Sequence, residues 1–137
     1  MNDKNTKYLY VKYPEIFRQH TLPMQETCMC WDFCCGDGWF ELIDALCNHI
    51  TSMCKNNDWK IPEALQVKEK YGGLRFYIDG VDYRASETVM GGIEFAEALS
   101  YRICESCGRK GEPNNKGLIR TLCSKCRIKN DKGKLKY

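Results

Sequence analysis

Cys104, Cys107, Cys123 and Cys126 fall into two Cys-x-x-Cys pairs with fifteen residues between them. Two thiolates at that spacing can grip one ion from a single tight turn. A second such pair completes a tetrahedron of bonds about 2.3 Å long, the geometry of a structural zinc site. Gly108, directly after Cys107, suits the positive φ that such a turn often needs. Gly111, Pro113, Asn114, Asn115 and Gly117 supply turn chemistry between the pairs. Arg127 stands where the first pair has Gly108, so the second turn is expected to tolerate a side chain there. The competing chemistries for these thiols are two disulfides or four buried free thiols. One zinc ion in a C-terminal ribbon is the expectation.

Six more cysteines lie upstream. Cys28, Cys30 and Cys35, with His49 or Cys54 as a fourth ligand, make a second ion chemically feasible, because soft thiolates select such metals. Cys-x-Cys is a more strained grip than Cys-x-x-Cys. Cys47 and Cys54 lie seven apart on an apolar helix face, where buried thiols behave as small hydrophobes.

Catalytic chemistry has little to work with. The two histidines, His20 and His49, stand in no local pattern that pairs them with a cysteine. No phosphate-binding or dinucleotide glycine motif, no His-Glu-x-x-His and no serine elbow occurs. Asp32, Asp37 and Glu41 cluster near a helix start, where capping and the helix dipole account for carboxylates. A site with four cysteine ligands leaves no position for an activated water. The chain is therefore expected not to be an enzyme.

Charge is unevenly spread. Residues 99–137 carry eleven Lys/Arg against three Asp/Glu, a net of +8, while residues 1–98 carry ten against fifteen, a net of −5. This divides the chain into an acidic body, 1–98, and a basic metal-binding appendage, 99–137. Arg109, Lys110, Arg120, Lys125 and Arg127 are the candidate contacts for an anionic partner such as nucleic acid. The alternative is a solvated, frayed end at Lys129, Lys132, Lys134 and Lys136. The first residues hold no signal-like apolar run, and eighteen consecutive apolar residues occur nowhere. A soluble cytoplasmic protein without membrane contact is expected, in a reducing compartment that favours metal ligation over disulfides.

The elements that must position these groups are legible from periodicity. Residues 13–17 suit a short helix entry, with Pro14 in its first turn. Trp39, Ile43, Leu46, Cys47, Ile50, Met53 and Cys54 recur at helical spacing and stop near Asn56 and Asn57. Leu65 and Val67, then Leu74, Phe76 and Ile78, alternate with polar residues around Gly72 and Gly73 and predict a hairpin over about 65–79. Its other face would present Arg75 and Tyr77 beside Lys68 and Lys70, either as an anion contact or as an ordinary wet face. Ser86 can cap a second helix with Val89, Ile93, Ala96, Leu99 or Ser100, and Ile103 facing inward. Gly91 and Gly92 weaken that helix by about 1 kcal/mol each, which close approach to the sheet would explain. The predicted fold is α+β: a small antiparallel sheet packed by two helices, with the zinc ribbon running on from the second.

Three stretches carry a family signature: ETCMCWDFCCGDGWFELIDALC at 26–47, QVKEKYGGLRFYIDG at 66–80, and AEALSYRICESCGRKG with GLIRTLC over 96–123. Together they resemble a family of small uncharacterised bacteriophage and prophage proteins. The similarity spans about residues 13–126. It implies a viral or mobile-element origin, expression in the cytoplasm of a bacterial host, and no catalytic residues to transfer. The doubled Cys34-Cys35 departs from the single cysteine of that pattern, which makes Cys34 the more dispensable of the two. Two functions follow as expectations. The first is a non-catalytic zinc protein that binds and inhibits or sequesters a host protein or complex, for instance in counter-defence. The second is a nucleic-acid-binding accessory protein that uses its basic ribbon.

Overall fold

The computed structural model describes residues 1–131; the expectation for Lys132, Lys134 and Lys136 lies outside them. The first helix, α1, is Asp3–Lys12, so the helix lies before Pro14 rather than after it. The Asn2 side chain caps it by accepting from the Asn5 amide. Tyr13, whose α conformation is disfavoured by the following proline, ends it at φ −125°. A turn and a 3-10 segment, Arg18–Thr21, follow. The Ile16 carbonyl accepts from the Ala64 amide at 2.7 Å and pins this segment to the sheet.

The sheet is mixed, not purely antiparallel. Strand β1, Phe33–Cys34, pairs in parallel with β2, Glu63–Lys70, and β2 pairs in antiparallel with β3, Gly73–Asp79. Tyr71 and Gly72, with φ of 52° and 82°, form the two-residue turn, the combination that matches strand twist in a tight hairpin. The register slips between Ala64 and Gln66, so Leu65 is the extra residue of a bulge. Ala64 and Val67 are therefore the buried positions on β2, and Leu65 is only half-buried. The outer face of β3 is not a free cationic surface. Arg75 is ion-paired with Glu97 at 2.6 Å and donates to the Tyr101 hydroxyl at 3.3 Å.

Helix α2, Phe40–Asn56, buries Leu42, Ile43, Leu46, Cys47, Ile50 and Cys54, the stripe that the periodicity predicts with Leu42 added and Met53 left half-buried. A 3-10 turn, Asp37–Trp39, leads into it. Helix α3, Ser86–Ser100, buries Val89, Ile93, Ala96 and Ser100 and packs on both α2 and β3. Ser86 is its first residue rather than its side-chain cap. One continuous core joins Trp39 and the α2 stripe to Phe17, Met29, Phe33, Val67, Leu74 and Phe76. Ile50, fully buried, tests it. Ile50→Val is expected to cost about 0.5–1.5 kcal/mol in denaturant unfolding, and Val11→Ala, on an exposed side chain, close to nothing. Equal effects would show the inside and outside to be misassigned.

No side-chain hydrogen bond caps α2 or the 3-10 turn before it, and Asp37 and Asp32 have other partners. Asp37 accepts from the Asn2 amide at 2.8 Å and the Asn5 side chain at 3.0 Å, which ties α1 to the turn before α2. Asp32 accepts from the Tyr10 hydroxyl at 2.6 Å, and Glu41 sits exposed in the first turn of α2. No helix among the described residues is long and apolar enough to cross a membrane.

Candidate metal centre

After α3 the chain turns back on itself. Residues 102–104 lie against 109–111 through the Ile103–Lys110 bridge and hydrogen bonds from Cys104 N to Arg109 O and Gly111 N to Arg102 O. Between them is the first metal-type turn, in which the Gly108 amide donates to the Cys104 carbonyl at 2.8 Å and Gly108 takes φ 76°. A two-stranded hairpin follows, β4, Glu112–Pro113, with β5, Thr121–Leu122. Asn114 stabilises the loop between them: it accepts from the Arg120 amide and donates to the carbonyls of Lys116 and Leu118.

The second cysteine pair departs from the expected ribbon. Cys123 immediately precedes a helix, α4, Ser124–Asp131, and Cys126 lies in that helix's first turn. The unit is a turn, a hairpin and a helix rather than two equivalent turns. This explains Arg127. A helical residue has negative φ, so no glycine is needed after the second pair. The Arg127 side chain instead donates to the carbonyls of Glu112 at 2.8 Å and Leu122 at 3.3 Å, fastening α4 to the hairpin.

The four thiols converge. Their sulfurs all lie within 4.8 Å of one another, and Cys107 Sγ is 3.6 Å from Cys123 Sγ. A disulfide needs about 2.05 Å. Four sulfurs around one ion at about 2.3 Å stand about 3.8 Å apart, so sulfurs gathered within 4.8 Å are close enough to share an ion. All ten cysteines are free thiols. Their surroundings differ: burial pushes Cys104 up to about 12, whereas the Cys126 amide and neighbouring thiols hold Cys123 down at about 6. A thiol ready to lose its proton beside three others is the donor set a soft divalent cation takes. The Arg109 guanidinium interacts with the Cys107 thiol. These four residues could hold one metal ion.

The finger is bolted to the body through a buried charge pair that sequence reasoning missed. Glu105, between the first two ligands, accepts from Arg120 Nη2 at 2.7 Å and Nε at 3.2 Å, and both side chains are almost fully buried. Its other carboxylate oxygen accepts from the Gly36 amide at 2.9 Å. Burial pushes the Glu105 carboxyl upward, and Arg120 and the Gly36 amide pull it back. The Gly38 amide donates to the Glu105 carbonyl at 2.7 Å, and the Trp39 indole to the Ile103 carbonyl at 2.9 Å. The approach at Gly38 is so close that a Cβ there would overlap the Cys104 carbonyl oxygen and come 2.6 Å from that of Glu105. At the hairpin turn, Thr121 Oγ1 donates to the Gly72 carbonyl at 2.6 Å. The CGDGW and YGG motifs are thus the two places where the body receives the finger.

Arg120 is consequently structural and is removed from the candidate anion contacts, and Arg127 is largely committed to carbonyls. Arg109, Lys110 and Lys125 remain exposed. Cys28, Cys30 and Cys35 form no second cluster: among the described residues only the four finger cysteines bring three or more ligand atoms together. The Cys30 thiol contacts the Thr27 carbonyl at 3.2 Å, Cys28 is exposed, and Cys35 is buried with its thiol pushed up to about 12 by desolvation. Cys34 is exposed. His20 stacks on Tyr10, His49 lies beside Gly92, and Cys47 and Cys54 are buried in the α2 face.

Comparison of the chain with protein-family models, with curated proteins and with solved structures gives no match. What the chain does has to be inferred from its own geometry.

Proposed function

We propose that Cys104, Cys107, Cys123 and Cys126 hold one structural zinc ion, and that the protein is a non-catalytic binding factor of phage or mobile-element origin that blocks or sequesters a host protein. The observation that carries this is the closed set of four sulfurs on a finger fastened to the body. Four thiolates fill a tetrahedral ion and leave no position for substrate or water, so the ion stabilises rather than reacts. The finger then serves as a rigid platform. Around its hairpin tip Leu118 is 80% exposed and Ile119 38%, and Ile119 lies against Gly72, next to Tyr71, itself 68% exposed. A neighbouring set of exposed apolar and aromatic side chains suits a protein surface better than a phosphate backbone. Two of the five basic candidates are meanwhile spent on internal contacts.

Two measurements test the proposal. Native mass spectrometry of protein purified without added metal is expected to show one zinc per chain. Capture from bacterial host cells is expected to retain a defined host protein with the wild type and lose it with a Tyr71→Asp, Leu118→Asp double variant. Nucleic acid bound with an affinity that falls steeply with salt, and no host protein retained, would overturn the sequestration reading in favour of the accessory one.

A further inference from the structure

One face of α3 is unaccounted for by the fold. Glu87, Gly91, Glu94, Phe95 and Ala98 are exposed, and at about 100° per residue they fall within a single arc of about 100°. Arg102, also exposed, continues the line in the turn that ends the helix. Phe95 is 70% exposed and Met90, at the edge of the arc, 40%.

The two glycines of this helix have different explanations. A Cβ at Gly92 would stand 3.0 Å from the His49 ring, so Gly92 lets α2 and α3 approach; the approach is to a helix, not to the sheet. A Cβ at Gly91 would meet nothing within 4 Å. Nothing inside the molecule requires a glycine there, yet it weakens an exposed helix by about 1 kcal/mol relative to alanine. Another backbone coming close at that point from outside the molecule would account for it.

The pattern is complementary to itself. Laid antiparallel against a second copy, α3 places Gly91 opposite Ala98 of the second copy, Glu87 opposite its Arg102, and Phe95 beside its Glu94. Two-fold symmetry then repeats each pairing. Small residues meet small residues on either side of the crossing, which falls at Glu94 and Phe95, and opposite charges meet at both ends. Among the described residues neither Glu87 nor Arg102 has an ion-pair partner within the chain. Beside Phe95 a groove of about 360 Å³ runs between α2 and α3, lined by Leu42, Leu46, Gly92, Ala96 and Leu99 among others. Phe95 stands on the border between the exposed arc and this groove, whose wall it helps to form, so knob and hole lie side by side.

We propose that the chain forms a two-fold dimer through the Gly91–Phe95–Ala98 face of α3, each Phe95 seated in the α2–α3 groove of the other copy. Sedimentation velocity on the full metal-loaded chain, over roughly 1–200 µM at low salt and with reductant present, reads it. The wild type is expected to pass from monomer to dimer. Gly91→Leu, which has open space in the monomer, and Phe95→Ser are each expected to raise the dimer dissociation constant at least about tenfold with melting of the monomer retained. Glu94→Gln is expected to tighten the dimer, because the two Glu94 carboxylates approach one another near the symmetry axis. Glu87→Arg and Arg102→Glu should each weaken association, and the double variant should restore it. A monomer throughout, a dimer indifferent to Gly91→Leu and Phe95→Ser, or a double charge variant no better than the singles would each overturn the proposal.

Discussion

Replacing Cys107 by serine is expected to release the zinc proposed for the four-thiol site and to melt the finger. For a unit of this size the binding energy of the ion is the folding energy: its own apolar cluster consists of Cys104, Leu122, Cys126 and the partly buried Cys123. Apparent zinc-binding energies of about 10–16 kcal/mol in isolated fingers exceed anything so small a cluster supplies. Metal content should fall from one equivalent to near zero. Amide exchange protection should disappear at Cys104, Glu105 and Gly108, whose amides donate within the finger. Removing metal with a chelator should reproduce the pattern in the wild type. Full metal content together with unchanged protection in Cys107→Ser would mean that these sulfurs gather for another reason.

The second large effect belongs to Arg120. Arg120→Ala leaves Glu105 buried beside the metal turn without its cation, and breaking such a pair typically costs about 3–5 kcal/mol. The loss should appear as a lower denaturation midpoint of the whole molecule, since the carboxylate also holds the Gly36 amide of the body. The double variant Glu105→Gln, Arg120→Met keeps an acceptor for Gly36 and removes both charges. It is expected to be more stable than Arg120→Ala, because desolvating an ion pair is itself expensive. A double variant that is worse than the single would show that attraction between the charges, rather than the cost of stranding one of them, dominates.

The parts of the fold that could be read in advance share a short-range cause. Helix α2 announces itself because its apolar residues recur over four turns, and the 63–79 hairpin because alternation brackets a turn that tolerates positive φ. The four ligands are legible for the same reason, each pair being fixed by three consecutive peptide bonds. Elements whose evidence lies elsewhere in the chain were not legible. Helix α1 buries only Thr6 and Leu9 and so shows no stripe, which left Pro14 to suggest a helix on its wrong side. Strand β1 is two residues long and exists because β2 offers it a parallel edge. The bulge at Leu65 shifts burial to Ala64 through the requirements of the pairing strand, not through local preference. Arg120 reads as a surface cation in a basic tail, and only the fold reveals a carboxylate fifteen residues upstream that shares its burial.

The joint at residues 36–39 also governs the order in which the molecule can be completed. Synthesis delivers the body first, but the Gly36 and Gly38 amides and the Trp39 indole find their acceptors only on Ile103 and Glu105. A nascent chain that has reached α3 therefore still has these three donors open to water. Closure waits for the residues that follow α3, so whatever keeps the finger unfolded also leaves these three donors of the body without their acceptors.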